Sequence, residues 1–289
     1  MKYLDHDEQW YPYHGPRAGT GTPLGWTKTR RGARLSVDPF DGGWADDLID
    51  RAFAIMALCP QHTFQVLTAH PERMREYLTA PFRVGDEIAE AVRRINAERM
   101  SEVEHWAADH DVPAWPLPNV WLGVKVGNQA EADERIPHLL DTPAALRFVV
   151  YEPTGAVDFL YLQPVDPPTE IDAINGTHGV LRPHGGTCAK LDWIIIQGQT
   201  GRKAKPCDVD WFRSVVEQCK AAEVPCFVRG LGSHPFCGKY EHALGLREAT
   251  AYTARCSMDV HHPKGADPSE WPEDLRRVRQ FPKGMEVQP

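Results

Sequence analysis

The stretch Ala52 to Leu78, AFAIMALCPQHTFQVLTAHPERMREYL, constrains the fold more than any other part of the chain. Leu48, Ile49, Ala52, Phe53 and Met56 recur at helical spacing, which predicts a helix from Asp46 with one apolar face and a charged face carrying Asp47, Asp50 and Arg51. Pro60 disfavours helical geometry at Cys59 and stops that helix. His62 to Thr68 is rich in β-branched and aromatic residues and reads as a strand, and Pro71 stands where the next helix places its first residue. Ala69 and His70 therefore lie at the C-terminal end of a strand, where α/β folds collect their chemistry.

The same grammar recurs downstream. Val120 to Val126 is a strand followed by a helix over Gln129 to Leu140, in which Pro137 imposes a kink or a restart. Leu146 to Tyr151 and Trp193 to Ile196 are further strands; Asp208 or Asp210 caps a helix with Phe212, Val215, Val216 and Cys219 on its apolar face, and Val224 to Val228 is the last strand. With a weak strand at Arg34 to Asp38, about six strands alternate with helices, which implies a parallel sheet with right-handed crossovers. Residues 1–31 read as an irregular arm, and residues 32–255 as the (βα) domain. Insertions fall near 85–112, where a charged helix has a narrow stripe of Ile88, Val92, Ile95, Val103 and Trp106, and near 154–190, which is loop-like; residues 256–289 form a C-terminal tail.

Charge and cysteine content narrow the function classes. A net charge of −8 argues against nucleic acid or an anionic membrane as partner, and the basic run Lys28, Arg30, Arg31 and Arg34 reads as a solvated loop. No stretch approaches the roughly 18 apolar residues of a membrane helix, and the first residues lack a signal-peptide core, so a cytoplasmic location is expected. Seven irregularly spaced cysteines do not form a disulfide framework in a chain of 289 residues. Cys219 and Cys226 read as core residues. His184 with Cys188, His234 with Cys237, and Cys256 with His261 and His262 could ligate zinc only by converging, and with no Cys-x-x-Cys pair no metal is assigned.

Four longer blocks carry a family resemblance: AIMALCPQHTFQVLTAHPERMREYL, WPLPNVWLGVKVGNQAEADERIPHLLDTPAALRFVVYEP, LDWIIIQGQTGRKAKPCDVDWFRSVVEQCKAAEVPCF and GADPSEWPEDLRRVRQFP. In order, from about Arg34 to Pro282, they resemble the phage-associated family named after mycobacteriophage gene products thirty-seven and sixty-eight, most of whose members have no assigned function. The resemblance implies a partial TIM-barrel-like (βα) sheet related to radical S-adenosylmethionine enzymes, with a [4Fe–4S] cluster held by three closely spaced cysteines near the N-terminus. This sequence departs from that pattern, since its first cysteine is Cys59 at the end of a helix. Without those thiolates neither the iron–sulfur cluster nor S-adenosylmethionine chemistry is expected, and no cofactor is assigned. The family's usual glutamate is Gln199 here, and its Lys-Gln-Trp run is Arg229-Gly230-Leu231.

Candidate functional residues follow from the strand ends: Asp38, Thr68, His70, Lys125, Asn128, Glu152, Gln197, Gln199 and Arg229. Glu152, held extended by Pro153 and retained from the family pattern, is the first candidate for general acid or base; the competing reading is an internal ion pair with Lys125 or Arg229. His70 could serve as acid or base or contact an anion, and Arg73 in the first turn of its helix could add to an anion site or pair with Glu72 or Glu76. Asn128 and Gln129 bind ligand or cap the following helix. The turn Gln197 to Gly201 suits close approach of a phosphate or carboxylate to backbone, although it matches no nucleotide-binding motif. The expected partner is a small anionic or nucleotide-like molecule, and the alternative is an enzyme of nucleotide or nucleic-acid modification that uses Glu152.

Overall fold

The computed structural model describes residues 38–80, 86–100, 115–165, 169–179, 185–237, 256–258 and 260–282, with strands at 10–13 and 32–35. The side chains of the basic run, Val103, Trp106 and His184 lie outside the described residues. The chain divides into two compact units, residues 1–124 with 141–147, and residues 125–140 with 148–289.

In the first unit β1 (Trp10–Tyr13), β2 (Gly32–Leu35), β3 (Thr63–Thr68) and β4 (Val120–Val126, whose last two residues fall in the second unit) pair in that order, all parallel. A strand at Trp10–Tyr13 corrects the irregular arm, and β2 begins and ends earlier than Arg34 to Asp38. Helix α1 (Asp46–Ala57) buries Ile49, Ala52, Phe53 and Met56 as its spacing predicts, but Leu48, read as part of the same apolar face, is 39% exposed, and α2 (Pro71–Thr79) opens on Pro71. The end of α1 is secured from a distance: the buried Asn119 amide donates to Met56 O at 2.9 Å and Cys59 O at 3.1 Å, satisfying carbonyls that the last helical turn leaves open. Helix α3 (Ile88–Met100) is a core element of this unit and not a detached insertion. Ile88, Val92 and Ile95 are 2–3% exposed and pack toward α1, because three apolar residues one turn apart suffice for a helix covered on one side.

In the second unit α4 (Gln129–Asp141, its last residue in the first unit) runs through Pro137 as one helix, so no restart occurs there. After β5 (Arg147–Tyr151) the stretch expected to be a loop contains a small antiparallel meander, β6 (Ile171–Asp172), β7 (Thr177–His178) and β8 (Gly186–Thr187). Then come β9 (Trp193–Gln197), β10 (Cys207–Asp208), α5 (Val209–Ala221) and β11 (Cys226–Gly230). Asp208 is the cap of α5, its carboxylate accepting from Asp210 N at 3.0 Å. β12 (Pro235–Cys237) lies between β10 and β13 (Cys256–Ser257), and a short α6 (Glu273–Arg276) follows.

β5, β9 and β11 are parallel neighbours in that order. The far edge of β11 is taken by the tail, where Val228 N donates to Val278 O and Gln280 N to Cys226 O, both at 2.9 Å. That cover removes an exposed strand edge, and at this edge the strands do not close onto another strand as a complete barrel would. The molecule is thus a mixed α/β protein with parallel strands at the centre of each unit.

Candidate functional site

One face of β5, β9 and β11 changes character along its length. Phe148, Trp193 and Phe227 stand near the strand starts with ring centroids 6.3 Å apart for each successive pair, and Phe281 of the tail lies 5.0 Å from Phe227. Side chains alternate along a strand with a period of two, so Glu152, one residue beyond β5, shares a face with Phe148, and Gln197 shares one with Trp193. The aromatic residues make a floor. The strand ends above it are polar.

There Lys125 Nζ forms an ion pair with Glu152 Oε2. Gln197 Nε2 donates to Glu152 Oε1 at 2.6 Å, and Arg229 Nη1 donates to Gln197 Oε1 at 3.2 Å. Four residues named from strand ends therefore meet in one row, Lys125–Glu152–Gln197–Arg229, contributed by the ends of β4, β5, β9 and β11. The row dictates the orientation of the Gln197 amide, whose NH₂ must face the carboxylate and whose oxygen must face the guanidinium. The Lys125 side chain is 44% exposed while that of Glu152 is 15% exposed, so the ammonium is hydrated and the carboxylate depends on its protein partners.

A break in the ladder puts Arg229 where it is. Val228 pairs with Ile196 and Gly230 with Gln197, which leaves Arg229 as the extra residue of a bulge. Bulges bend a strand and re-aim a side chain, a device concentrated near functional sites. Immediately beyond, three glycines let the backbones close up: a Cβ on Gly198 would meet Leu231 O at 2.1 Å, and one on Gly265 would meet Gly232 O at 2.4 Å. In the Gln197 to Gly201 turn the close approach at Gly198 is thus to the protein's own chain, with Gly198 N bonded to Gly230 O at 2.9 Å.

The other candidates hold the architecture. Asn128 Oδ1 accepts from Glu131 N at 3.1 Å, a helix cap, and the Gln129 side chain joins Asp133 with the backbone of Asp158. Gln199 Oε1 accepts from Lys205 N at 3.1 Å. Below the row on the opposite face, Tyr151 donates to Gly155 O at 2.6 Å and burial raises its phenol pKa. Cys207, donating to Leu231 O, is pushed up to about 12 by burial. The His262 ring accepts from Lys264 N and Ala266 N and so shapes a turn.

In the first unit Asp38 organises the turn after β3. Its carboxylate accepts from Phe40 N at 2.9 Å, Thr68 Oγ1 at 2.9 Å and Ala69 N at 2.8 Å, and Thr68 Oγ1 accepts in turn from His70 N. The His70 side chain is exposed. Arg73 donates to Trp44 O at 2.7 Å and lies 3.6 Å from Asp46, so its charge is directed to the start of α1 and not to Glu72 or Glu76, the alternative to an anion site.

Sequence reasoning therefore found the four members of the row but missed the bulge, the glycine junction and the role of Asn119. The signal for the first two was the pair Gly230 and Gly232 at and just beyond the end of β11. No curated protein and no solved structure matches the chain. One family profile, described as "Protein of unknown function (DUF5131)", matches residues 16–261, and the chain belongs to that family.

Proposed function

We propose that the protein binds a small anionic or nucleotide-like molecule at the ends of β4, β5, β9 and β11, with Lys125 and Arg229 receiving the anion. The observation that carries this reading is the polar row itself. Two cations, one carboxylate and one amide are gathered on a face whose other end is aromatic, with Arg229 aimed by a bulge. A hydrated, 44% exposed ammonium can exchange water for ligand oxygens at little cost, and a guanidinium offers a planar fork to carboxylate or phosphate. Kinship with the radical S-adenosylmethionine barrels, and with it the phage association, belongs to this reading, and what supports it is the parallel order of β5, β9 and β11. In the same reading Cys59, two residues past the end of α1 and 1% exposed, is a core residue and not a cluster ligand.

Binding is favoured over catalysis by Glu152 because both carboxylate oxygens already have partners. A proton transfer at Glu152 would need Lys125 or Gln197 to yield first. The reading is tested by thermal-shift screening with phosphate, S-adenosylmethionine and nucleoside mono-, di- and triphosphates. Stabilisation by at least one, lost in Arg229→Met, is expected; turnover of a bound nucleotide that disappears in Glu152→Gln would instead establish the enzyme.

A further inference from the structure

We infer that the loop after β9 and the turn at residues 261–266 form a basic platform for the phosphodiester backbone of single-stranded nucleic acid; that one nucleotide of the strand enters the polar row rests on the function proposed above. The primary observation is a local reversal of charge. Three segments of the second unit meet beyond the ends of β9 and β11: residues 198–206, 230–236 and 261–266. They hold Arg202, Lys203, Lys205 and Lys264 and no aspartate or glutamate, in a chain whose net charge is −8 and which has 40 acidic residues to distribute. All four are exposed, and among the described residues none of their side chains forms an ion pair. Arg135 and Arg213 of the same unit, by contrast, are each matched with carboxylates.

The second observation is that the basic segments are fastened to one another. Ser233 Oγ accepts from Gly201 N at 3.1 Å and donates to Pro263 O at 2.8 Å, so one hydroxyl holds both. Ser233 N donates to Gln199 O and Leu231 N to Gly265 O, both at 2.9 Å, and Lys205 N donates to Gln199 Oε1 at 3.1 Å. Like charges held together without a counterion repel, and a polyanion relieves that repulsion while releasing its own condensed cations. The carboxylates next in sequence are turned to backbone: Glu270 accepts from His261 N and His262 N, and Asp267 from Ser269 N. At roughly 0.1 M salt, exposed charges more than about 10 Å away are largely screened, so this local balance outweighs the net charge that argues against nucleic acid for the molecule as a whole.

The platform continues directly from the polar row, since Gln199 lies two residues beyond Gln197 and Leu231 two beyond Arg229. A ligand lying across both presents a nucleotide to the row and further anions, at regular intervals, to the cations beyond it. A phosphodiester strand has that repeating charge, and Arg202 offers each phosphate a planar fork. The strand is single because Gln197 is half-buried and Glu152 is 15% exposed, so a nucleotide that reaches them has left any base pair.

The test is fluorescence anisotropy of a labelled single-stranded oligonucleotide of mixed sequence, titrated with the full chain at several salt concentrations. It compares the unaltered protein with the triple variant Arg202→Ala, Lys203→Ala, Lys205→Ala, whose exposed, unpaired side chains the fold does not need. Four phosphate contacts give log K a slope against log[salt] of about −3, at roughly −0.7 per contact; the triple variant should lose about 2 of that slope and bind about tenfold more weakly or worse at low salt. Equal binding by both proteins, no binding at low salt, a duplex of the same sequence bound more tightly than the single strand, or polyglutamate bound as tightly would each overturn the proposal. Strand binding that depends on the three cations supports the platform even where no mononucleotide raises Tm, a result that refutes the row alone. A mononucleotide-induced rise without strand binding upholds the row and overturns the platform.

Discussion

Replacing Lys125 by methionine should cost more stability than replacing Glu152 by glutamine, although both changes break the same ion pair. Lys125→Met keeps the length of the stem and removes the ammonium. It leaves a carboxylate that is only 15% exposed with the Gln197 amide as its described partner. Stranding one member of a partly buried charge pair costs about 1–3 kcal/mol. Glu152→Gln leaves an ammonium that is 44% exposed and hydrates readily, and the new amide can still accept from Gln197 Nε2. Its cost should stay within about 1 kcal/mol, the range of exposed ion pairs. At about 2–4 °C per kcal/mol for a chain of this size, Lys125→Met lowers Tm by roughly 2–12 °C and Glu152→Gln by less than about 4 °C. The double variant should be more stable than Lys125→Met alone, since no charge is left stranded. Thermal unfolding of the four proteins at one pH decides the matter, and a Glu152→Gln variant less stable than Lys125→Met, or a double variant less stable than either, would refute the reasoning.

Two further outcomes are expected. Gly198→Ala places a Cβ 2.1 Å from Leu231 O and 2.4 Å from its carbon, so backbones must separate, at a cost of about 3 kcal/mol or more. Gly201→Ala meets nothing within 4 Å and carries only the strain of its φ of +97°, about 1–2 kcal/mol; equal denaturant midpoints for the two variants would contradict the close-packed junction. The Arg213 guanidinium holds Asp274 below its ordinary value of 3.8, so the pair adds stability above that value and loses it as pH falls through the lowered one. The Asp274 side chain is 52% exposed and screened, so Asp274→Asn should cost roughly 0.5 kcal/mol at pH 7 and nothing well below pH 3.8, as urea unfolding at the two pH values will show.

What could be read in the sequence follows from how each element is stabilised. β3, β4, β5, β9 and β11 were legible because each is rich in β-branched and aromatic residues and bounded by turn residues, and Pro71 and Asp208 marked helix starts through local chemistry. β6, β7 and β8 are two residues each and depend on pairing with one another, so no periodicity announces them. In the site, strand ends pointed to Lys125, Glu152, Gln197 and Arg229 individually. That they form one row depends on strand order and on the bulge at Arg229, which are tertiary facts. In the Gln197 to Gly201 turn a glycine reports that something comes close without saying what; at Gly198 it is Leu231 and Gly232. For Arg73 helical spacing offered Glu72 and Glu76 as the alternative to an anion, whereas the groups it meets, Trp44 O and Asp46 at the start of α1, are distant in sequence.

The central claim is that the polar row is an anion-binding site. Its most direct test is the change in Tm of the unaltered protein and of Arg229→Met on adding phosphate, nucleotides and S-adenosylmethionine one at a time. The account predicts a saturable rise for at least one of them in the unaltered protein and its loss in Arg229→Met. A rise of the same size in both proteins, or no rise with any of these compounds, would contradict it.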